Sequence, residues 1–261
     1  MRVRATAVIV ASSLAVGTAG PAFAQEAWEP DLAAAKAFAR SREGRVRFAV
    51  VDETGGKHRW RAWESVPMAS VFKVMLMVGY LRRPSVRDRD LRRRDRRLLS
   101  PMIRRSDNAT ATRIVGVLGG RRLRRLARAA GMRDFRFVRS PWGMSRSSAR
   151  DQAKFMSRLE ELIPDRHEEY ARTLLRTIVS SQRWGIPRVT PEGWTPYFKG
   201  GWGSGTGKVV HQVAFLENGD RRISIAIFIT NSPSHRYGTR TLRGVARRLL
   251  RGLGESVAPA A

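Results

Sequence analysis

The sequence predicts an α/β protein of the α+β kind. One antiparallel five-stranded sheet would be flanked by N- and C-terminal helices, with an all-helical lobe inserted. Three observations carry this. Two short segments, the first an apolar run and the second alternating, lie near the start, joined by Thr54-Gly55-Gly56. Three more lie near the end, the last two joined by Asn218-Gly219, and tightly linked strands pair antiparallel. The stretch between the two groups reads as helices and loops.

The elements follow in chain order. Arg2 and Arg4, an apolar run over 5–16 and Ala22-Phe23-Ala24 before Gln25 have the three parts of an export signal over 1–24. An uncleaved N-terminal anchor is the alternative reading, and no other segment is apolar and long enough to span a bilayer. Leu32, Ala35, Phe38 and Ala39 share one face of an opening helix over 30–42. Residues 46–52 and 58–64 form a hairpin, and Pro67 ends it. Residues 70–81 are apolar on every side, as a central buried helix would be. An arginine-rich helical stretch covers 88–131, interrupted at Ser100-Pro101 and at Ser106-Asp107-Asn108. Residues 134–147 are a loop, and Ser148 opens a helix with Asp151 as its capping-box partner. Another helix is expected over 166–181, then a loop with three prolines over 184–196. Strands at 197–201, 209–216 and 222–230 and a helix over 236–251 complete the chain. The domain reading is a leader at 1–24, a sheet lobe from 25–65 and 196–261, and a helical lobe at 66–195, with a site in the cleft between lobes.

Composition narrows the function. With no cysteine, thiolate nucleophiles, disulfides and cysteine metal sites are excluded. The four histidines, at 58, 167, 211 and 235, lack metal-binding spacing, so no metal or organic cofactor is implied. The net charge of +28 favours anionic partners, an anionic cell-envelope polymer among them. The arginines lie scattered on helix faces without interleaved aromatics, which indicates a solvated basic surface and no specific nucleic acid. A monomer is expected.

Three short motifs could carry chemistry. In Ser70-Val71-Phe72-Lys73 the hydroxyl and the ammonium lie one helical turn apart, and a lysine desolvated among apolar neighbours loses proton affinity and can activate a serine. A serine at a helix start also aims backbone N–H groups at an oxyanion. Alone, this motif equally fits an N-cap serine with a lysine reaching for solvent. Ser106-Asp107-Asn108 lies in a loop between helices and alone is another N-cap signature. Lys199-Gly200-Gly201 sits on a strand, where glycines allow close backbone approach or mark a bulge.

In this order and context the three motifs resemble those of the class A β-lactamase and D,D-peptidase superfamily, over the whole chain after the leader. Leu99-Ser100-Pro101-Met102 ahead of Ser106-Asp107-Asn108-Ala109-Thr110 adds to the likeness. The resemblance implies a β-lactamase/transpeptidase-like fold and a set of roles. Ser70 would be acylated, with Lys73 and Ser106 shuttling its proton. Asn108 and Lys199 would hold the substrate, Gly201 would admit it, and the N–H groups of Ser70 and Trp202 would form the oxyanion hole.

Two departures stand out. Gly200 replaces the family's threonine, with Ser204 or Thr206 as candidate substitutes for its hydroxyl. The family's E-x-x-L-N loop, whose glutamate activates the deacylating water, has no glutamate here over 133–147, and Asp134 is its only acid. Acylation is therefore better supported than deacylation. The functional expectation is a secreted, periplasmic or envelope serine hydrolase acting on β-lactams. The alternatives are a D,D-peptidase or esterase-like hydrolase of cell-wall peptides, and a non-catalytic envelope-polymer binder. His211 reads as a core residue, the glutamates at 160, 161, 168 and 169 as solvated, and Trp142, Trp184, Trp194 and Trp202 as packing or as a wall of the cleft.

Overall fold

The computed structural model describes residues 28–203 and 205–255. The export signal expected over 1–24 and Ser204 lie outside the described residues. Helix α1 (Leu32–Arg40) is capped by Asp31, whose carboxylate accepts from Ala34 N. Strands β1 (Arg45–Val51) and β2 (Lys57–Trp60) form the first hairpin, and a short β3 (Val66–Pro67) leads to a 3₁₀ turn at Ala69–Val71. That turn runs straight into α2 (Phe72–Leu81), every residue of which is buried. The lobe continues through α3 (Pro84–Arg87), α4 (Arg93–Arg104) and α5 (Asn108–Ala129). A two-residue β4 (Arg146–Ser147), α6 (Ala149–Ser157), α7 (Leu159–Leu162) and α8 (Glu168–Arg176) precede β5 (Thr195–Gly203), β6 (Val209–Asn218), β7 (Arg221–Thr230) and α9 (His235–Leu249).

The sheet is five-stranded and antiparallel in the order β2-β1-β7-β6-β5, as the alternating segments predicted. Alternation separates two apolar cores. Phe48, Ala214, Ile225 and Ile227 face α1 and α9, with Leu242 and Val245 of α9 closing that layer. Ala49, Val213, Phe215 and Phe228 face α2 and the helical lobe. Helix α6 packs directly on β1 and β7. No helix among the described residues is long and apolar enough to cross a membrane.

Several local expectations differ from the structure. Pro101 does not interrupt α4, because the Arg97 carbonyl it leaves unpaired lies on an exposed turn. The break comes instead inside α5, at Gly119 with φ +63°, a conformation that costs glycine nothing. The helix expected over 166–181 shrinks to α8 with a 3₁₀ turn before and another after it. Asp151 is not the reciprocal cap partner of Ser148: the Ser148 hydroxyl accepts from Asp151 N, while the Asp151 carboxylate accepts from Arg133 N and Asp134 N and ties down the start of the loop. Glu160 is not solvated. With Glu217 it pairs with Arg172 and Arg222, joining α7 and α8 to the sheet. Trp194 is core, buried on the α9 side of the sheet.

Candidate active site

The strand carrying Lys199-Gly200-Gly201 is the outer edge of the sheet, and it abuts the turn that bears Ser70. A Cβ placed on Gly201 would come within 2.9 Å of Ser70 N and 2.8 Å of Val71 N, so only glycine lets the strand ride on the start of α2. The turn itself holds Ala69 at φ +46°, and Ser106 opposite it sits at φ +59°. Such left-handed backbone at non-glycine residues costs roughly 1–3 kcal/mol each and collects at functional sites.

Lys73 is fully buried. Its Nζ donates to Ser106 O, to Ser106 Oγ at 3.0 Å and to Asn108 Oδ1 at 2.7 Å, and makes no hydrogen bond to Ser70. The Trp142 ring lies 5.1 Å from the same ammonium. Burial lowers the Lys73 pKa to about 7, against a modest opposing pull from Asp107. Asp107 caps α5 by accepting from Thr110 N at 2.7 Å, so the S-D-N segment serves as an N-cap while also presenting three acceptors to the lysine. Lys199 is buried too, and desolvation followed by repulsion from Lys73 holds its pKa well below the usual lysine value.

A cleft of about 260 Å³ opens here, lined by Ser70, Asn108, Trp142, Gly143, Trp202 and Thr206 among others, none of them acidic. Ser70 is half-buried in its wall. The structure thus brings Ser70, Asn108 and Trp202 to one cleft, with Lys73 and Ser106 in hydrogen-bond contact with Asn108 or each other. Lys199 and Gly201 stand on the adjoining strand. Thr206 reaches the cleft, its hydroxyl donating to Gly203 O at 3.2 Å.

The loop over 133–147 is closed at its neck. Arg136 and Arg146 exchange backbone hydrogen bonds, and Arg150 pairs with Asp134 through two contacts at 2.8 and 2.9 Å. Asp134 is therefore occupied at the neck and does not line the cleft that holds Ser70. The loop presents Trp142, braced by a 3.0 Å bond from its Nε1 to Thr112 Oγ1.

Three residues read from the sequence as packing, cleft wall or core take supporting roles here. Trp142 shields Lys73. Trp184 packs against Gly200, where a Cβ would meet its ring at 2.8 Å. His211, opposite Gly201 in the sheet, is fully buried and core-like as expected, with burial lowering its pKa to about 4. Its Nδ1 accepts from Ile229 N at 3.1 Å, so its Nε2 donates to Pro67 O at 3.0 Å and pins the segment ahead of Ser70. A lone histidine two residues into a strand was the only signal available for it.

The sequence profile of the beta-lactamase enzyme family matches residues 92–253, more than half of the chain. The chain belongs to the beta-lactamase enzyme family. It is a serine hydrolase of that family, and the matched region contains Ser106, Asn108 and Lys199 through Trp202, while Ser70 and Lys73 lie ahead of it. No curated protein matches in sequence. Solved structures agree in fold. A beta-lactamase from Sphaerobacter thermophilus is 21% identical with a TM-score of 0.74, covering 87% of this chain and 98% of its own. PBP-A is 17% identical with a TM-score of 0.70, covering 86% and 97%. A class A beta-lactamase from Mycobacterium abscessus is 20% identical with a TM-score of 0.71, covering 84% and 98%. This family member differs from the class A loop pattern in having no glutamate over 133–147.

Proposed function

We propose that the protein is an exported hydrolase that is acylated by β-lactams on Ser70 and releases the acyl group slowly. The observation that carries this reading is the buried Lys73, its pKa lowered to about 7, held beside the Ser70 turn by Ser106 and Asn108. In the proposed sequence neutral Lys73 takes the Ser70 proton as Oγ attacks the lactam carbonyl carbon. The oxyanion is held by the N–H groups of Ser70 and Trp202. The proton then passes from Lys73 through Ser106 Oγ to the ring nitrogen as the C–N bond breaks. Because Asn108 Oδ1 already accepts from Lys73, its amide N–H₂ is free to bind a ligand carbonyl. A ligand carboxylate would find Lys199 behind Gly201, and would restore the proton affinity that burial removes.

Hydrolysis of the acyl-enzyme needs a base to activate water, and no residue lining the cleft supplies a carboxylate. That favours a second reading, in which cell-wall peptides or esters are the substrates and β-lactams are slowly released inhibitors. Intact-protein mass spectrometry with benzylpenicillin over time, beside Ser70→Ala, tests both. The expected result is a one-to-one adduct on the parent that persists for minutes or longer, and none on Ser70→Ala. An adduct that clears within seconds would overturn slow release and require a base not identified here. No adduct would overturn acylation.

A further inference from the structure

We propose that a second cavity, on the far side of Trp184 from the catalytic strand, is a binding site for clustered phosphate groups. It has a volume of about 490 Å³, and five arginines line it: Arg183 and Arg188 from the loop before β5, and Arg236, Arg240 and Arg243 from the first turns of α9. No acidic residue lines it. Some arginines that meet across elements in this protein are matched by carboxylates, as Arg172 and Arg222 are by Glu160 and Glu217, or Arg221 by Glu53. Among the described residues none of these five takes part in an ion pair, and Arg236, Arg240 and Arg243 donate side-chain hydrogen bonds to no protein group.

The basic surface of an arginine-rich chain would by itself leave such groups spread apart. Here the two sides are held in place. Gln212, fully buried in the sheet, accepts from Ile186 N at 2.7 Å and donates to Trp184 O at 2.7 Å, fixing the loop that carries Arg183 and Arg188. Arg183 donates to Arg176 O at 2.8 Å and lies over the Phe198 ring, while Arg188 donates to Arg183 O at 3.0 Å. Each therefore uses one guanidinium N–H on protein and keeps others spare. On the facing side, positions 236, 240 and 243 fall on one face of α9, and Arg236 lies in its first turn, where the helix dipole adds to the positive potential. Holding five like charges around one concavity is unfavourable unless an anion joins them. Forked guanidinium donors match phosphate oxygens two at a time, and their number calls for more than one charge on the ligand. The Ser180, Ser181 and Thr239 hydroxyls at the rim add neutral partners.

The ligand chemistry has two sources, a soluble oligophosphate or the phosphodiester backbone of an envelope polymer. Calorimetric titration of the full protein separates them, with inorganic pyrophosphate as one probe and a short poly(glycerol phosphate) as the other. The pocket variant is R236A/R240A/R243A. A charge-matched control, R93A/R94A/R97A, removes three exposed arginines of α4 that have no ion-pair partner. All six positions are exposed on helices, where alanine is the best former, so both variants are expected to fold. The expected result is saturable one-site binding that falls tenfold or more in the pocket variant and less than twofold in the control. Tighter binding of pyrophosphate assigns the site to free phosphates, and tighter binding of the polymer assigns it to the backbone. Equal losses in the two variants would reduce the effect to the overall field of the protein and overturn the site, as would no saturable binding to the parent.

Discussion

Lys73 shows how one residue acquires a role from its surroundings. Its neighbours within α2 are apolar, and its ammonium donates only to the acceptors that Ser106 and Asn108 bring from another element. Those acceptors are neutral, and only Asp107 adds a charge, so desolvation dominates and the pKa falls to about 7. If Lys73 is the base for Ser70, the acylation rate constant follows the neutral fraction. It should rise with pH through a single ionisation near 7 and level off above 8, falling about tenfold per unit below the pKa. Stopped-flow acylation with a chromogenic cephalosporin at pH 5.5 to 9 measures this. Trp142→Ala admits water to the ammonium and should move the midpoint upward by about one unit, since water restores what burial removed. A rate independent of pH over this range would remove Lys73 from the base role.

Strand β5 illustrates what an element imposes on its residues. Its two faces demand opposite things: Lys199 and Gly201 turn toward α2 and the nucleophile turn, while Gly200 turns toward Trp184. The indole, packed edge-on against Trp202 at 6.0 Å and His235 at 5.5 Å, fills the space a side chain at 200 would take. Gly200→Thr should therefore destabilise by about 1–3 kcal/mol despite the better strand propensity of threonine. Combined with Trp184→Ala the same change should cost at least about 1 kcal/mol less than the sum of the single changes. Urea denaturation of the four proteins reads this coupling, and strict additivity would show that the indole does not exclude the side chain. This pair also marks the limit of what the sequence discloses. Apolar runs and alternation exposed all five strands, because four of them bury residues against the cores on both faces while β2 alternates exposed Lys57 and Arg59 with the half-buried His58 and Trp60. The three motifs stood out because their spacing is local. The Trp184–Gly200 contact, the Gln212 brace and the His211 tie join segments brought together only by the sheet. Pro101 misled for the converse reason, since the cost of a helix proline depends on whether the freed carbonyl reaches water.

For the whole molecule, the buried cations set an unusual dependence of stability on pH. Of the 50 basic residues only six are lysines, so raising the pH to 10 leaves the surface charge nearly unchanged and the dependence comes from interior groups. Lys73 and Lys199 have folded pKa values below the unfolded value of 10.5, so between the two values the unfolded chain binds more protons and stability rises with pH. Their burial penalty is fully present below about pH 7 for Lys73 and is relieved as pH climbs toward 10.5. His211, lowered to about 4, acts with the same sign at lower pH: the unfolded chain gains a proton near 6.5 that the folded protein refuses, and stability is lost as pH falls from there toward 4. Tyr80 and Tyr170, both raised by burial, reverse the trend above about pH 10, where the unfolded phenols ionise first. Maximum stability is thus expected near pH 9 to 10, on the alkaline side of the common range of about 5 to 8. Each lysine contributes a slope of up to about 1.4 kcal/mol per pH unit. Lys73→Met, similar in volume and uncharged, should remove one such increment between pH 8 and 10 while leaving the histidine limb below pH 6.5 intact. Chemical denaturation of parent and variant at unit steps from pH 5 to 11 measures both limbs. Parallel curves for the two proteins between pH 8 and 10 would mean that Lys73 is as solvated as a surface lysine, and would remove the basis for its activation of Ser70.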